Sequence, residues 1–447
     1  MLPIKHATAP DFGIKTNLCF VLFLCFFALL CQNAFAQEPF LQRTLVEVNP
    51  PANPGSNVWK AIVGGRLIDG KGNGVLEDAV ILVRGNRIVE TGSRSQIQIP
   101  EDAERIDASG MSILPGLIDA HLHTVNDNKV LNTFLKNGVT TMRDPGHPFR
   151  FYQSLYFANE QLPRVFLTGA HLDAYPGVYT QQAIMIKDQS HAREMVKKSV
   201  AQGGTGIKIY FRLPLNYYET ILATADFYQI PVVAHMELVA ADDAIKAGLK
   251  GIEHVTSFGT SLADPEDAKA FKEAVQRDNS ERGEGRYLLW SKIDLTSERV
   301  KKVLELAVKE QVTLCPTLAT FERQEGDQVK DYQVAGFNNM LKFVGMAHQA
   351  GVRIVTGSHT HGNYADHGWA YQREMELLVK AGMTPLEAIS SSTLHNAHYF
   401  RSADRIGSIE AGKLADLILV EGDPSVDISS MYNIYKVMLN GQWVNTP

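Results

Sequence analysis

The stretch Pro115-Gly116-Leu117-Ile118-Asp119-Ala120-His121-Leu122-His123-Thr124 decides how this chain is read. It closes an apolar run with two histidines one residue apart. In a strand, successive side chains alternate faces, so His121 and His123 point one way and Leu122 the other. Two imidazoles then share one site. Taken alone, the pattern equally suits a half-buried strand end running into a loop, so its meaning rests on the rest of the chain.

Outward from this stretch the chain divides by periodicity. From Lys60 to Leu114 the signals are β, including Ile81 to Val89, two β-rich runs around Gly85-Asn86. The C-terminus repeats this, with a run at Ala415 to Val420 and a pair of runs meeting at Asn440-Gly441, the residues favoured in a tight hairpin turn. Residues 115–400 alternate instead. Strands are expected at Leu114–Ile118, Val139–Arg143, Val165–Thr168, Gly206–Tyr210, Pro231–Ala234, Gly251–His254, Val312–Leu314 and Val352–Thr356. Helical spacing is expected at 240–249, 297–310, 338–350 and 372–381. Eight strands alternating with helices predict an α/β fold, a (β/α)₈ barrel over 115–400. A doubly wound sheet offers no reason for eight. The two ends, 60–114 and 401–447, predict a small composite β-sandwich, and the charged stretch 263–294 an insertion over one end of the barrel.

Composition fits this reading. The 447 residues are 45% hydrophobic and 21% charged, as in ordinary globular proteins, and the net charge of −6 comes with no basic stripe, which argues against nucleic acid as a partner. Lys5 and Lys15 precede the apolar run Leu18 to Cys31, followed by Ala34-Phe35-Ala36, so residues 1–36 read as a cleaved secretory signal. The run is too short for a comfortable membrane span, which predicts a periplasmic or secreted protein without stable membrane insertion. Residues 37–59, with Pro50, Pro51 and Pro54, read as an exposed lead-in. Signal removal leaves Cys315 as the sole cysteine, so no internal disulfide can form. Oligomeric state is not legible.

In a barrel, functional side chains gather at the C-terminal strand ends. His121 and His123 end the first strand, Lys208 lies in the fourth, His235 ends the fifth, His254 the sixth, and His359 follows the eighth. Lys208, flanked by Ile207 and Ile209, is the most informative. An unpaired ammonium on a buried strand is costly or loses its proton. Either a carboxylate partner compensates it, or its neutral amine takes up CO₂ and becomes an anionic carbamate. Neutral imidazoles suit Zn²⁺ and similar ions, and four histidines with a carbamate are enough ligands for one or two divalent transition metals. Such an ion activates water as a nucleophile. His171, Asp173, His361, Asp366 and His367 read as loop or capping residues, and Tyr210 and Arg212 as candidates to meet a substrate carboxylate.

PGLIDAHLH, the IKIY lysine, the VVAHM and GIEHV histidines and the tail IGSIEAGKLADLILVEGDP together resemble the amidohydrolase superfamily, especially its imidazolonepropionase-like and metal-dependent Xaa-Pro dipeptidase branch. The resemblance runs from Lys60 to the C-terminus. It implies His121 and His123 on one metal, His235 and His254 on the other, and a carboxylated Lys208 between them. It also implies hydrolysis of a C–N bond in a small molecule by metal-activated hydroxide. One position departs. Where most of the superfamily has Gly-Thr-Asp, this chain has Thr356-Gly357-Ser358-His359. A histidine can ligate metal or act as a base, but it lacks the carboxylate's charge. His359 is therefore the candidate catalytic residue, and an altered or inactive binding protein is the alternative.

Overall fold

The computed structural model describes residues 45–445, apart from 53–56, 124–125, 159 and 327. The expected signal over 1–36 and the first part of the lead-in lie outside the described residues. Strands β1 (Trp59–Leu67), β2 (Leu76–Arg84), β3 (Arg87–Ser93), β4 (Glu104–Asp107) and β5 (Met111–Pro115) come first. The barrel strands follow: β6 (Leu117–Asp119), β7 (Val139–Asp144), β8 (Arg164–Leu167), β9 (His171–Asp173), β10 (Ala183–Met185), β11 (Ile207–Ile209), β12 (Val232–Ala234), β13 (Gly251–Glu253), β14 (Thr313–Cys315) and β15 (Arg353–Ile354). The chain returns through β16 (Leu417–Glu421), β17 (Ile434–Leu439) and β18 (Gln442–Trp443).

Both chain ends build one sheet. Its order is β18-β17-β16-β5-β1-β2-β3, with β4 beside β1, so β5 and β16 join the first part of the chain to the last. Ile62, Ile81, Ile113, Leu417, Leu419 and Met438 share one apolar cluster there, drawn from both ends. Register is set by the turns. Arg84 faces Arg87 across Gly85-Asn86, and Leu439 faces Gln442 across Asn440-Gly441, where both turn residues take the positive φ of a type I′ turn, 53° and 76°.

The expected first barrel strand, Leu114–Ile118, divides at Gly116. Pro115 pairs with Leu417 in the end sheet, while Leu117 pairs with Val139 in the barrel. A side chain at 116 would collide with Thr140, so only glycine lets the chain pass from one sheet to the other here. The barrel strands form two parallel arcs, β6-β7-β8 and β10-β9-β11-β12-β13-β14-β15. All eight expected strands are present; β9 and β10 are additional. Backbone bonds tie the arcs, among them Thr205 N–H to Leu167 O (2.7 Å) and Ala120 N–H to Thr356 O (2.9 Å). The expected helix at 338–350 begins earlier and spans Asp331–Ala350, its first turn held by Gln333 Oε1 accepting from Lys330 N–H.

The lead-in is exposed only in part: Val46, Pro50, Ala52, Asn57 and Val58 face solvent, but Leu45 and Glu47 are buried, Val48 N–H donates to Val165 O, and Asn49 accepts from Val165 N–H. The segment satisfies the open edge of β8, which the proline-rich composition did not reveal. The insertion forms two helices, Pro265–Arg277 and Glu281–Ser291. Among the described residues no helix is long and apolar enough to cross a membrane.

Candidate metal centre

The strand tips bring five of the expected histidines together. Ring centroids lie 4.9 Å apart for His121–His123, 4.5 Å for His121–His254, 4.3 Å for His235–His254, 4.8 Å for His123–His359 and 5.3 Å for His254–His359. The Nε2 atoms of His121 and His123 are 3.1 Å apart. One nitrogen each from His121, His123 and His359 falls within 4.8 Å of the others, close enough to share an ion. These five histidines, with Lys208, line the floor of a cavity of about 610 Å³.

The backbone around them is shaped for the site. His254, Thr317, His359 and Thr360 take left-handed φ of 66°, 51°, 56° and 74°, conformations costing about 1–3 kcal/mol each in non-glycine residues and concentrated at functional sites. Gly357 admits the close approach of strand eight to the first: a Cβ there would meet Cys315 Sγ at 2.6 Å and His121 Cβ at 2.7 Å. His359 N–H donates to His121 O (2.7 Å), and the Thr360 hydroxyl accepts from His123 N–H (2.8 Å) and donates to His123 O (2.9 Å).

Hydrogen bonds behind the rings fix which nitrogens are free. His121 Nδ1 meets Glu253 Oε2 at 2.5 Å; burial and nearby cations hold this imidazole well below its usual pKa, so the contact is a neutral N–H donating to a carboxylate and Nε2 keeps its lone pair. The Thr317 hydroxyl donates to Pro316 O (2.8 Å) and so accepts from His254 Nδ1–H (2.6 Å). His235 Nε2 donates to Glu237 Oε1 (3.1 Å), leaving Nδ1 as the acceptor. Burial lowers His235 to about 3 and His359 to about 4, and it lowers His123 and His254 strongly as well. Neutral rings with inward lone pairs are what a metal ligand set requires.

Lys208 is buried, and its Nζ has no hydrogen-bond partner. Burial brings the amine down to about 8. The carboxylate that the sequence left open as its partner is not bonded to it: Glu253, the nearby acid, is held by Arg143 (2.5 Å), His121 and the Tyr399 hydroxyl (3.3 Å). An orphaned amine among neutral imidazoles fits a metal that a lysine carbamate would help to bind. The donor set therefore fits divalent transition metal ions.

Glu253 and Arg143 were missed in the sequence, although each is a charged residue within an apolar strand, the signal that singled out Lys208. So were Arg282 and Arg286, spaced i, i+4 on the inserted helix and hence on one face. Both reach Glu237, at 3.7 and 3.2 Å, and line the cavity mouth with Arg323. Tyr210 lines the cavity and its hydroxyl accepts from Arg282 (3.1 Å). Arg212 does not: its guanidinium is turned to Asn279 Oδ1 and Val275 O. His171 lines the cavity with Nδ1 on Gly146 O (3.2 Å), whereas Asp173, His361, Asp366 and His367 are not among the lining residues.

A barrel whose strand tips carry these histidines beside a sheet from both chain ends defines a class, and sequence comparison agrees. The amidohydrolase family model matches residues 112–444, and the chain belongs to that family. It is 22% identical over 409 residues to an adenine deaminase of Leuconostoc citreum, covering 86% of this chain and 60% of that one. It is 23% identical over 412 residues to an imidazolonepropionase of Brevibacillus brevis, covering 81% and 88%. Among solved structures, a Xaa-Pro dipeptidase with bound methionine superposes with a TM-score of 0.66 at 22% identity, covering 86% and 99%. The chain thus spans little more than half the length of that deaminase.

Proposed function

We propose that the protein is a metal-dependent hydrolase that cleaves a C–N bond (amide, peptide or cyclic amide) of a small molecule. One observation carries this: neutral imidazoles and an unpartnered buried amine converge on the floor of a cavity that is open at the strand tips. One or two divalent ions, Zn²⁺ best suiting the donors, would be held by His121, His123, His235, His254 and Lys208 and would polarise the scissile carbonyl and activate water. The Lys208 amine, neutral when it reacts, forms an N–C bond with CO₂ and releases one proton, giving the anionic donor the imidazoles lack. Glu253 holds the His121 ring in one orientation, anchored in turn by Arg143. His359 stands beside His121 and His123, where its ring nitrogen receives a proton and passes it towards the leaving nitrogen.

A specific observation favours a second reading, a binding protein that no longer hydrolyses: strand eight offers His359 where the superfamily pattern has a carboxylate. The two separate in one experiment. Protein reconstituted with Zn²⁺ or Mn²⁺ is screened against dipeptides and cyclic amides, with metal content measured alongside. Turnover that disappears with the metal, and in His121→Ala, supports hydrolysis. Turnover that survives both chelation and that substitution rejects the mechanism, and a metal-loaded protein that binds amides without cleaving them selects the second reading. The leader over 1–36 would make this hydrolase periplasmic or secreted, to be checked by the N-terminal sequence of the protein recovered outside the cytoplasm.

A further inference from the structure

The residues lining the cavity include three arginines and no aspartate or glutamate. Arg282 and Arg286 share a single carboxylate, Glu237, so one positive charge of that pair is unmatched. Arg323 donates to the Glu322 carbonyl oxygen and lies over the Tyr287 ring at 4.8 Å. Its neighbour Glu322 does not neutralise it, because that carboxylate is gripped by Arg373 through both oxygens. Among the described residues, the mouth thus holds two guanidinium charges without counter-charge. Arg282 and Arg286 lie on the inserted helix Glu281–Ser291, and Arg323 just after the short helix Leu318–Phe321 that follows β14.

We propose that the cavity selects a doubly negative amide, one acid group seated between Arg282 and Arg286 and the second at Arg323. The placement is suited to it. Arg282 reaches down to Tyr210, which abuts His171 and His235 (4.4 and 5.2 Å), while Arg286 lies over Phe321, which abuts His254 (5.8 Å). An acid group held by this pair leaves the adjoining amide over the imidazole floor, and a second acid reaches Arg323 on the rim. Guanidinium forks bind carboxylates in a fixed orientation, so the two contacts set register as well as affinity. The inference rests on the hydrolase reading for the amide alone; the charge selection stands on the arginines.

The test is calorimetric binding to the full chain reconstituted with Zn²⁺, using N-acetyl-L-glutamate, N-acetyl-L-glutamine and N-acetyl-L-glutamine methylamide, one scaffold with two, one and no negative charges. Affinity should rise about tenfold with each charge, the worth of one charge-assisted hydrogen-bonded contact, and the gradient should shrink in high salt. In Arg323→Met the dianion should bind no tighter than the monoanion, and Arg323→Lys should recover part of the gap. Equal binding of all three probes, or a gap that persists in Arg323→Met, overturns the proposal. Hydrolysis of neutral amides without this gradient overturns it and leaves the hydrolase intact. A dianion preference in a protein that cleaves no amide sustains it and removes the hydrolase.

Discussion

Two buried cations at opposite ends of the barrel show how charge is used in this molecule. Arg164, at the N-terminal end of β8, lies against Asp416 and 3.2 Å from Glu47, and Glu47 is also bound by Arg405 at 2.8 Å. These pairs lock the end sheet and the segment at Leu45 to the barrel. Lys208, equally buried in β11, has nothing on its Nζ. A buried charge with partners holds the fold; a buried amine without them, in a cavity, marks a candidate functional site.

Exchanging each cation for methionine should sharpen the contrast. Lys208→Met should abolish turnover and bound metal, yet leave the metal-free protein at least as resistant to denaturant as its parent, because an unpaired buried amine is removed. Arg164→Met should do the reverse. Stranding Asp416 and Glu47 should cost about 3–5 kcal/mol in denaturant unfolding, with metal stoichiometry per folded molecule unchanged. If both variants lose stability alike, the distinction is broken.

Smaller effects test the supports of each region. Glu253→Gln should weaken Zn²⁺ binding about 10–100-fold, read by competition with a chelator, since the carboxylate orients the His121 ring. At the other end, burial raises the Glu47 carboxyl, but Arg405 and Arg164 more than offset this and hold it below the usual 4.5. Its contribution is therefore full above the unfolded value and is lost as pH falls through the folded one. Glu47→Gln should cost about 1–2 kcal/mol at neutral pH, and thermal unfolding curves of variant and parent should draw together as the solution is acidified.

The two regions also differ in how far the sequence reveals them. The floor of the site was legible because strand periodicity places every second residue on one face, and six chemistry-bearing residues recur at strand tips. The hairpins at Gly85 and Asn440 were legible because their φ angles restrict the residue types. The mouth was not. Arg282 and Arg286 sit on a helix whose pose over the barrel depends on packing against Asp331–Ala350, a contact between residues far apart in the chain. Nor was the division at Gly116, where Thr140 forbids a side chain, or the burial of Leu45 and Glu47, fixed by partners over a hundred residues away.

Carbon-13 NMR of the Zn²⁺-reconstituted chain, prepared in labelled bicarbonate, is the most direct test of the idea that Lys208 is alone because it completes a metal centre. One carbamate carbon per chain is expected together with bound zinc, and both should be missing from Lys208→Met. A folded parent protein that shows neither the carbamate signal nor bound zinc would contradict it.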